Sequence, residues 1–138
     1  MAALRALAQR RLTEAQLWTR LERKGYDAEE IAAAVERCKR EGYLDDKLYA
    51  ELYLVGARKA VGDARMVAAL VAKGVAREVA LHSLASAPTT EPQRCAAALD
   101  ALERRRPSLQ YPSAARALER LGFPASLIYA TLRARLQE

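Results

Sequence analysis

Adjacent carboxylates are the first candidates for chemistry in this chain, because Asp45 and Asp46 directly follow the apolar residue Leu44. Two carboxylates could bind a divalent cation, but such a site also needs further oxygen ligands. No histidine, third acidic ligand or glycine-rich loop lies near them in the sequence. An aspartate before a helix accepts hydrogen bonds from the free N–H groups of the first turn. We therefore interpret the pair as the start of a helix, and not as a catalytic site.

Other potentially catalytic side chains are isolated. His82 is the only histidine, and no serine, cysteine or carboxylate lies at a recognisable motif spacing from it. Cys38 and Cys95 occupy apolar helical positions and do not form a metal-spaced pair, so we expect both to be buried without a disulfide. No phosphate-binding loop, dinucleotide fingerprint or zinc-protease motif is present. The sequence therefore predicts a protein that is not an enzyme, with no cofactor and no metal.

Basic side chains are more informative, since the chain carries a net charge of +6. Asp63 is the only carboxylate between positions 52 and 77, and the same interval contains five cations: Arg58, Lys59, Arg65, Lys73 and Arg77. Three more end a predicted helix: Arg104, Arg105 and Arg106. This pattern favours a polyanionic or acidic partner. A solvated surface, or stabilisation of a helix dipole by the three arginines, would account for it equally well.

The helices that carry such side chains are predicted most clearly over positions 13–46. Thr13 can cap a helix, with Gln16 completing a capping box, and Gly25 ends that helix because glycine accepts the left-handed conformation. Asp27 is a good cap for a second helix, which Gly42 ends. The sequence therefore predicts a helix, a glycine stop and a second helix.

The same arrangement recurs along the chain. Gly25, Gly74 and Gly122 lie 49 and 48 residues apart, and a leucine lies four residues before each. The hydrophobic fraction of 51% is dominated by alanine and leucine, which favours closely packed helices over a sheet. We predict an all-α fold, an elongated array of three tandem three-helix repeats with these ranges: 1–42, 45–86 and 90–138.

Apolar periodicity predicts the buried faces of the later helices. A helix over 46–60 has an apolar line of Leu48, Leu52 and Val55. Ser113 is expected to cap a helix ending at Gly122. Pro124 opens the final helix, where we expect Leu136 to be buried and Arg135 to lie outside.

No apolar run approaches the roughly 18 residues of a membrane-spanning helix, and the N-terminal residues do not have the order of a signal peptide. We therefore expect a cytoplasmic protein without a membrane partner.

Several of these features together resemble the bacterial RecX family. The match covers residues 13–77 well, and more loosely the third predicted repeat, which contains Arg120-Leu121-Gly122-Phe123. The segments that carry it are Thr13-x-x-Gln-Leu, Lys24-Gly25-Tyr26, Glu41-Gly42-Tyr43-Leu44-Asp45-Asp46, Tyr49-Ala50, and Gly62 through Gly74-Val75.

The resemblance implies a modular protein of tandem three-helix repeats whose partner is the RecA nucleoprotein filament. RecX proteins bind RecA on single-stranded DNA, lie along the filament groove, and mostly inhibit the recombinase, ATPase and coprotease activities. This implies a role in DNA repair, homologous recombination and the SOS response, with any direct contact to single-stranded DNA weak or made within the filament. We expect a monomer.

A general DNA-binding protein is the alternative. A short helix, a glycine turn and a second helix also describe a helix-turn-helix motif. Such a protein would bind naked DNA tightly with a steep salt dependence, whereas a filament regulator would prefer assembled RecA to bare DNA.

Overall fold

A computed structural model describes residues 1–137, and these residues form nine α-helices with no β-strand among them. Glu138, the last residue of the third predicted repeat, lies outside the described residues. The predicted all-α class is confirmed. The helices are α1 Ala2–Gln9, α2 Glu14–Arg23, α3 Ala28–Arg40, α4 Asp46–Gly56, α5 Asp63–Ala72, α6 Arg77–Ala85, α7 Glu91–Arg105, α8 Tyr111–Arg120 and α9 Ala125–Leu136.

The predicted starts of α2 and α3 and the predicted stop after α2 are present. The Thr13 hydroxyl accepts a hydrogen bond from the Gln16 N–H, and the Gln16 side chain accepts one from the Thr13 N–H, which completes the capping box of α2. Asp27 forms the equivalent box with Glu30 at the start of α3. Gly25 has a φ of +94°, in the left-handed region that glycine enters at little cost.

By contact, the chain divides into two compact units. Unit 1 comprises residues 1–53 and 69–86, and unit 2 comprises residues 54–68 together with the chain from Ala87 onward. The unit boundaries fall within α4 and α5, so they do not follow the three predicted ranges. The division into three repeats stays a prediction.

Unit 1 is built on the mutual packing of α1, α2 and α3. Its buried core contains Leu17 and Leu21 from α2, Ile31 and Val35 from α3, and Leu44 from the segment that follows. Burying one such side chain contributes about 1.5–3 kcal/mol. The core thus fixes α2, which carries many of the basic side chains described below.

Unit 2 is built on α7, α8 and α9, with Cys95, Leu99, Leu118 and Ile128 in its core. Arg94 is 5% exposed in this unit and donates to the carbonyl oxygens of Val61 and Thr89 at 2.9 and 2.8 Å. It also forms an ion pair with Asp63. No pattern in the sequence marks this arginine as a buried residue.

The predicted apolar face of α4 is wrong. Leu48, Leu52 and Val55 are 40%, 41% and 66% exposed, whereas Ala50 and Leu54 are buried. Ala50 and Leu54 are one helical turn apart, so the buried face of α4 is the one that carries these two residues, and Leu48, Leu52 and Val55 lie off it. The helix also ends at Gly56 and not at residue 60.

Three expectations for the last two helices are also wrong. Gln110 precedes α8 without a side-chain cap, and Ser113 lies inside the helix, where its hydroxyl accepts a hydrogen bond from Arg116 at 3.3 Å. Leu136 is 64% exposed. Arg135 is half-buried, because it pairs with Asp100 and Glu103 on α7.

Candidate nucleic-acid interface

The predicted basic residues are divided between the two units. Lys73 and Arg77 belong to unit 1, and the other six belong to unit 2: Arg58, Lys59, Arg65, Arg104, Arg105 and Arg106. All are exposed except Lys73, which is half-buried. Arg58 and Lys59 lie in the segment between α4 and α5, and the three consecutive arginines lie at the C-terminal end of α7.

Arg65 has a structural role in unit 2. Its guanidinium donates to the carbonyl oxygen of Arg120 at 3.1 Å. Its aliphatic stem packs on Gly122, since a Cβ placed at that glycine would lie 2.6 Å from Arg65 Cγ. Arg65 therefore stabilises the turn after α8 and is a poor choice for a charge-reversal experiment on binding.

Lys73 lies in a groove of unit 1 that the sequence analysis did not predict. The groove has a volume of about 480 Å³, and its other cations are Arg10, Arg20, Arg23 and Lys24. Among the described residues that line it, none is a carboxylate. The five cations form no ion pair within residues 1–137, although Lys73 Nζ lies 5.8 Å from the ring centroid of Tyr53. The groove therefore presents uncompensated positive charge.

Two parts of the chain that line this groove, α2 and the residues around Lys73, are joined at Thr13. Its hydroxyl, fully buried, donates to the carbonyl oxygen of Lys73 at 2.6 Å while accepting from the Gln16 N–H. Gly74 packs so closely on α2 that an added Cβ would lie 2.5 Å from the Cβ of Ala15. Lys73 is thus held beside α2 by its own carbonyl oxygen and by the close packing of the next residue, Gly74.

Arg20, Arg23 and Lys24 are near neighbours in the sequence, at the C-terminal end of α2. The available signal was their spacing, because residues three and four apart share a helix face. Their association with Lys73, however, depends on a hydrogen bond between residues 60 positions apart. Periodicity within one helix carries no information about that contact.

The two carboxylates after Leu44 have separate structural roles. Asp45 Oδ1 accepts from the Leu48 N–H at 3.1 Å and caps α4, as predicted. Asp46 Oδ1 instead accepts from the Glu14 N–H at 2.8 Å, at the start of α2. Burial raises the pKa of Asp46, an effect opposed by the Glu14 N–H hydrogen bond and by nearby Lys39.

Residues 1–137 contain no cluster of histidine, cysteine and carboxylate side chains suited to a metal. Cys38 and Cys95 are both buried free thiols, and burial raises the pKa of each. His82 is exposed on α6. No helix within the described residues has the length and apolar character to cross a membrane.

Comparison with known proteins decides the family. A family model described as RecX, first three-helix domain, matches residues 1–38. A regulatory protein RecX of Thermus thermophilus is 35% identical over 122 residues, which cover 88% of this chain and 81% of that protein. The chain belongs to the RecX family.

Several other RecX relatives align over shorter stretches. The regulatory protein RecX of Syntrophotalea carbinolica is 41% identical over 68 residues, so the aligned part of this chain spans 44% of that protein's length. The crystal structure of RecX from Lactobacillus salivarius matches 96% of this chain and 91% of its own chain, with a TM-score of 0.83 and 18% identity. The structural likeness supports the shared helical fold.

Proposed function

We propose that this RecX-family chain is a non-enzymatic regulator that binds RecA filaments on single-stranded DNA in the cytoplasm as a monomer. In this proposal it mostly inhibits the recombinase, ATPase and coprotease activities. Membership of a family whose curated members are named regulatory proteins supports regulation as the role. The proposed partner, the RecA filament, is the one implied by the resemblance of the sequence to the RecX family.

The groove of unit 1 is the observation that carries the proposal. Its five cations can approach a phosphodiester backbone, which carries one negative charge per nucleotide. Arg20 and Arg23 lie in the last turn of α2 and Lys24 is its C-terminal cap, so the three cations lie close together at one end of the helix. We propose that the groove contacts the DNA phosphates within the filament, and that Arg58, Lys59, Arg77 and the arginines at 104–106 add long-range attraction.

The test compares binding to RecA–DNA filaments with binding to the same DNA alone. A filament regulator should bind the filament about tenfold or more tightly than bare DNA, a difference of about 1.4 kcal/mol. Equal affinity for both, with a steep loss on adding salt, would favour the alternative of a general DNA-binding protein. RecA ATPase activity, measured in the same samples, reports the regulatory effect.

Charge reversal tests the groove itself. Exposed ion pairs contribute about 0–1 kcal/mol each, so three changes are combined: Arg20→Glu, Arg23→Glu and Lys24→Glu. Filament affinity and ATPase inhibition should fall together. The matched control reverses three exposed cations of unit 1 outside the groove: Arg5→Glu, Arg40→Glu and Lys47→Glu. Because both variants change net charge equally, a similar loss in the two would exclude a specific role for the groove.

A further inference from the structure

A pocket in unit 2 is lined by residues of α8 and α9 and has a volume of about 430 Å³. Two tyrosines line it with much of their surface exposed, Tyr111 at 39% and Tyr129 at 55%. Arg116 and Arg133 also line it, and Glu119 is the only carboxylate among its described lining residues. The pocket therefore combines aromatic rings with a small excess of positive charge.

The helix pair that lines this pocket, α8 and α9, can be compared with the pair α2 and α3 of unit 1. Gly25 and Gly122 both follow the first helix of a pair and have φ values of +94° and +92°. Counting seven residues back from each reaches Trp18 in α2 and Ala115 in α8. Trp18 packs against the core of unit 1. Ala115 packs against the core of unit 2 and lines the pocket, and at the matching position it has a methyl group where Trp18 has an indole.

We propose that the pocket between α8 and α9 accepts an unpaired nucleobase of single-stranded DNA, with Tyr111 and Tyr129 against the base and Arg116 and Arg133 on the adjoining phosphates. This assignment rests on the proposed function, in which single-stranded DNA is part of the bound filament. Aromatic side chains and arginine planes stack on bases without requiring a particular sequence. The pocket would therefore contact the strand at any sequence.

A peptide side chain is the competing occupant, since an aromatic anchor of a partner protein could also enter an apolar pocket. The charges favour the nucleotide. A nucleotide within a strand has a planar ring with a phosphate on each side, and the pocket offers two arginines beside its rings. A peptide backbone next to an aromatic anchor is neutral and would offer neither arginine an anionic partner.

Fluorescence anisotropy with the full chain and no RecA tests this assignment. One labelled probe is oligothymidine, and the other is an abasic oligomer of the same length and charge. Phosphate contacts are the same for both probes, so their difference measures base contacts. Because stacking one base contributes enough to change affinity several-fold, we expect about fivefold or tighter binding of oligothymidine.

Three variants test whether the pocket causes the difference in affinity between the two probes. Tyr129→Ala should remove the preference for oligothymidine while leaving abasic binding unchanged. Ala115→Trp should do the same by filling the pocket. Tyr43→Ala is the matched control, because Tyr43 is 58% exposed and lies in unit 1, outside this pocket. Circular dichroism of each variant verifies that helix content is retained.

Equal wild-type affinity for the two probes would overturn the assignment, as would unchanged oligothymidine binding by folded Tyr129→Ala. If Tyr129→Ala weakened only binding to RecA filaments, the occupant would be a protein side chain and the nucleobase proposal would be wrong. Failure of the proposed function has a different signature. It would appear as a wild-type protein with no effect on RecA, a result on which the DNA-only assay does not depend.

Discussion

The hydroxyl of Thr13 donates a hydrogen bond of 2.6 Å to the carbonyl oxygen of Lys73, 60 positions further along the chain. The same hydroxyl caps α2 by accepting from the Gln16 N–H. One buried side chain thus begins the helix that carries Arg20, Arg23 and Lys24 and holds the Lys73 backbone beside it. The cap and the basic groove depend on the same atom.

Replacing Thr13 by valine should therefore lower the free energy of unfolding by about 1–3 kcal/mol. The loss of an N-cap costs about 0.5–2 kcal/mol, and the lost hydrogen bond to Lys73 adds about 0.5–1.5 kcal/mol. Valine keeps the shape of the side chain, so the effect reports the hydroxyl. Urea denaturation measures it, with Thr19→Val, at an exposed position of the same helix, as the control. Equal stability of the two variants would contradict a role for the Thr13 hydroxyl.

The turn at Gly74 should be less tolerant of a side chain than the turn at Gly25. Both residues have positive φ, +101° and +94°. A Cβ at Gly25 would meet open space, whereas one at Gly74 would lie 2.5 Å from Ala15 Cβ. Gly25→Ala should cost about 1 kcal/mol for the left-handed conformation, and Gly74→Ala about 2–4 kcal/mol because the clash adds to it. Similar melting temperatures for the two alanine variants would show that the close contact is unimportant.

Local signals made the helices predictable. The capping boxes at Thr13 and Asp27 and the glycine after α2 depend on hydrogen bonds and φ angles within a few residues, which the sequence displays directly. The buried face of α4 was not predictable in this way. Leucine periodicity favoured Leu48 and Leu52, but the buried residues of this helix are Ala50 and Leu54. Which face is buried depends on neighbours distant in sequence.

Arg94 should be the most sensitive arginine of unit 2. It is almost fully buried and donates to two backbone carbonyl oxygens, those of Val61 and Thr89, which would lose their donor if it were replaced. Arg94→Met should reduce the free energy of unfolding by about 2–4 kcal/mol, since unsatisfied polar groups cost about 1–3 kcal/mol each. Arg104→Met, an exposed change on the same helix, is the control. If both variants melted at the wild-type temperature, methionine packing would compensate fully for the lost donors.

The candidate interface was predictable only in part, for the same reason. An excess of positive charge is visible in the sequence between positions 52 and 77, and Lys73 is one of the cations in that interval. Arg65 shared that pattern, yet its guanidinium is bound to the Arg120 carbonyl. Charge along a sequence does not distinguish a cation that faces solvent from one that stabilises a turn. The groove also depends on the hydrogen bond from Thr13 to the Lys73 carbonyl oxygen, a tertiary contact that the sequence pattern does not display.

Asp46 should make stability depend on pH. Burial raises its folded pKa above the ordinary value of 3.8, so the folded chain holds the proton more tightly than the unfolded chain. Between 3.8 and the raised folded pKa the native state binds more protons, and this group's contribution to stability therefore decreases as pH rises. Below 3.8 the carboxyl is protonated in both states and the contribution no longer changes.

Asp46→Asn removes this titration but keeps an oxygen that can accept from the Glu14 N–H. The unfolding free energy of the variant, relative to that of the wild type, should therefore increase as pH rises from about 4. The difference should become constant once the carboxyl of the wild type is ionised in both the folded and the unfolded state. Urea denaturation across this range measures the difference, with Glu36→Gln on the exposed side of α3 as a control for net charge. A difference between Asp46→Asn and wild type that moved in the opposite direction would mean that the Glu14 hydrogen bond and Lys39 outweigh burial, and that the ionised carboxylate stabilises the start of α2.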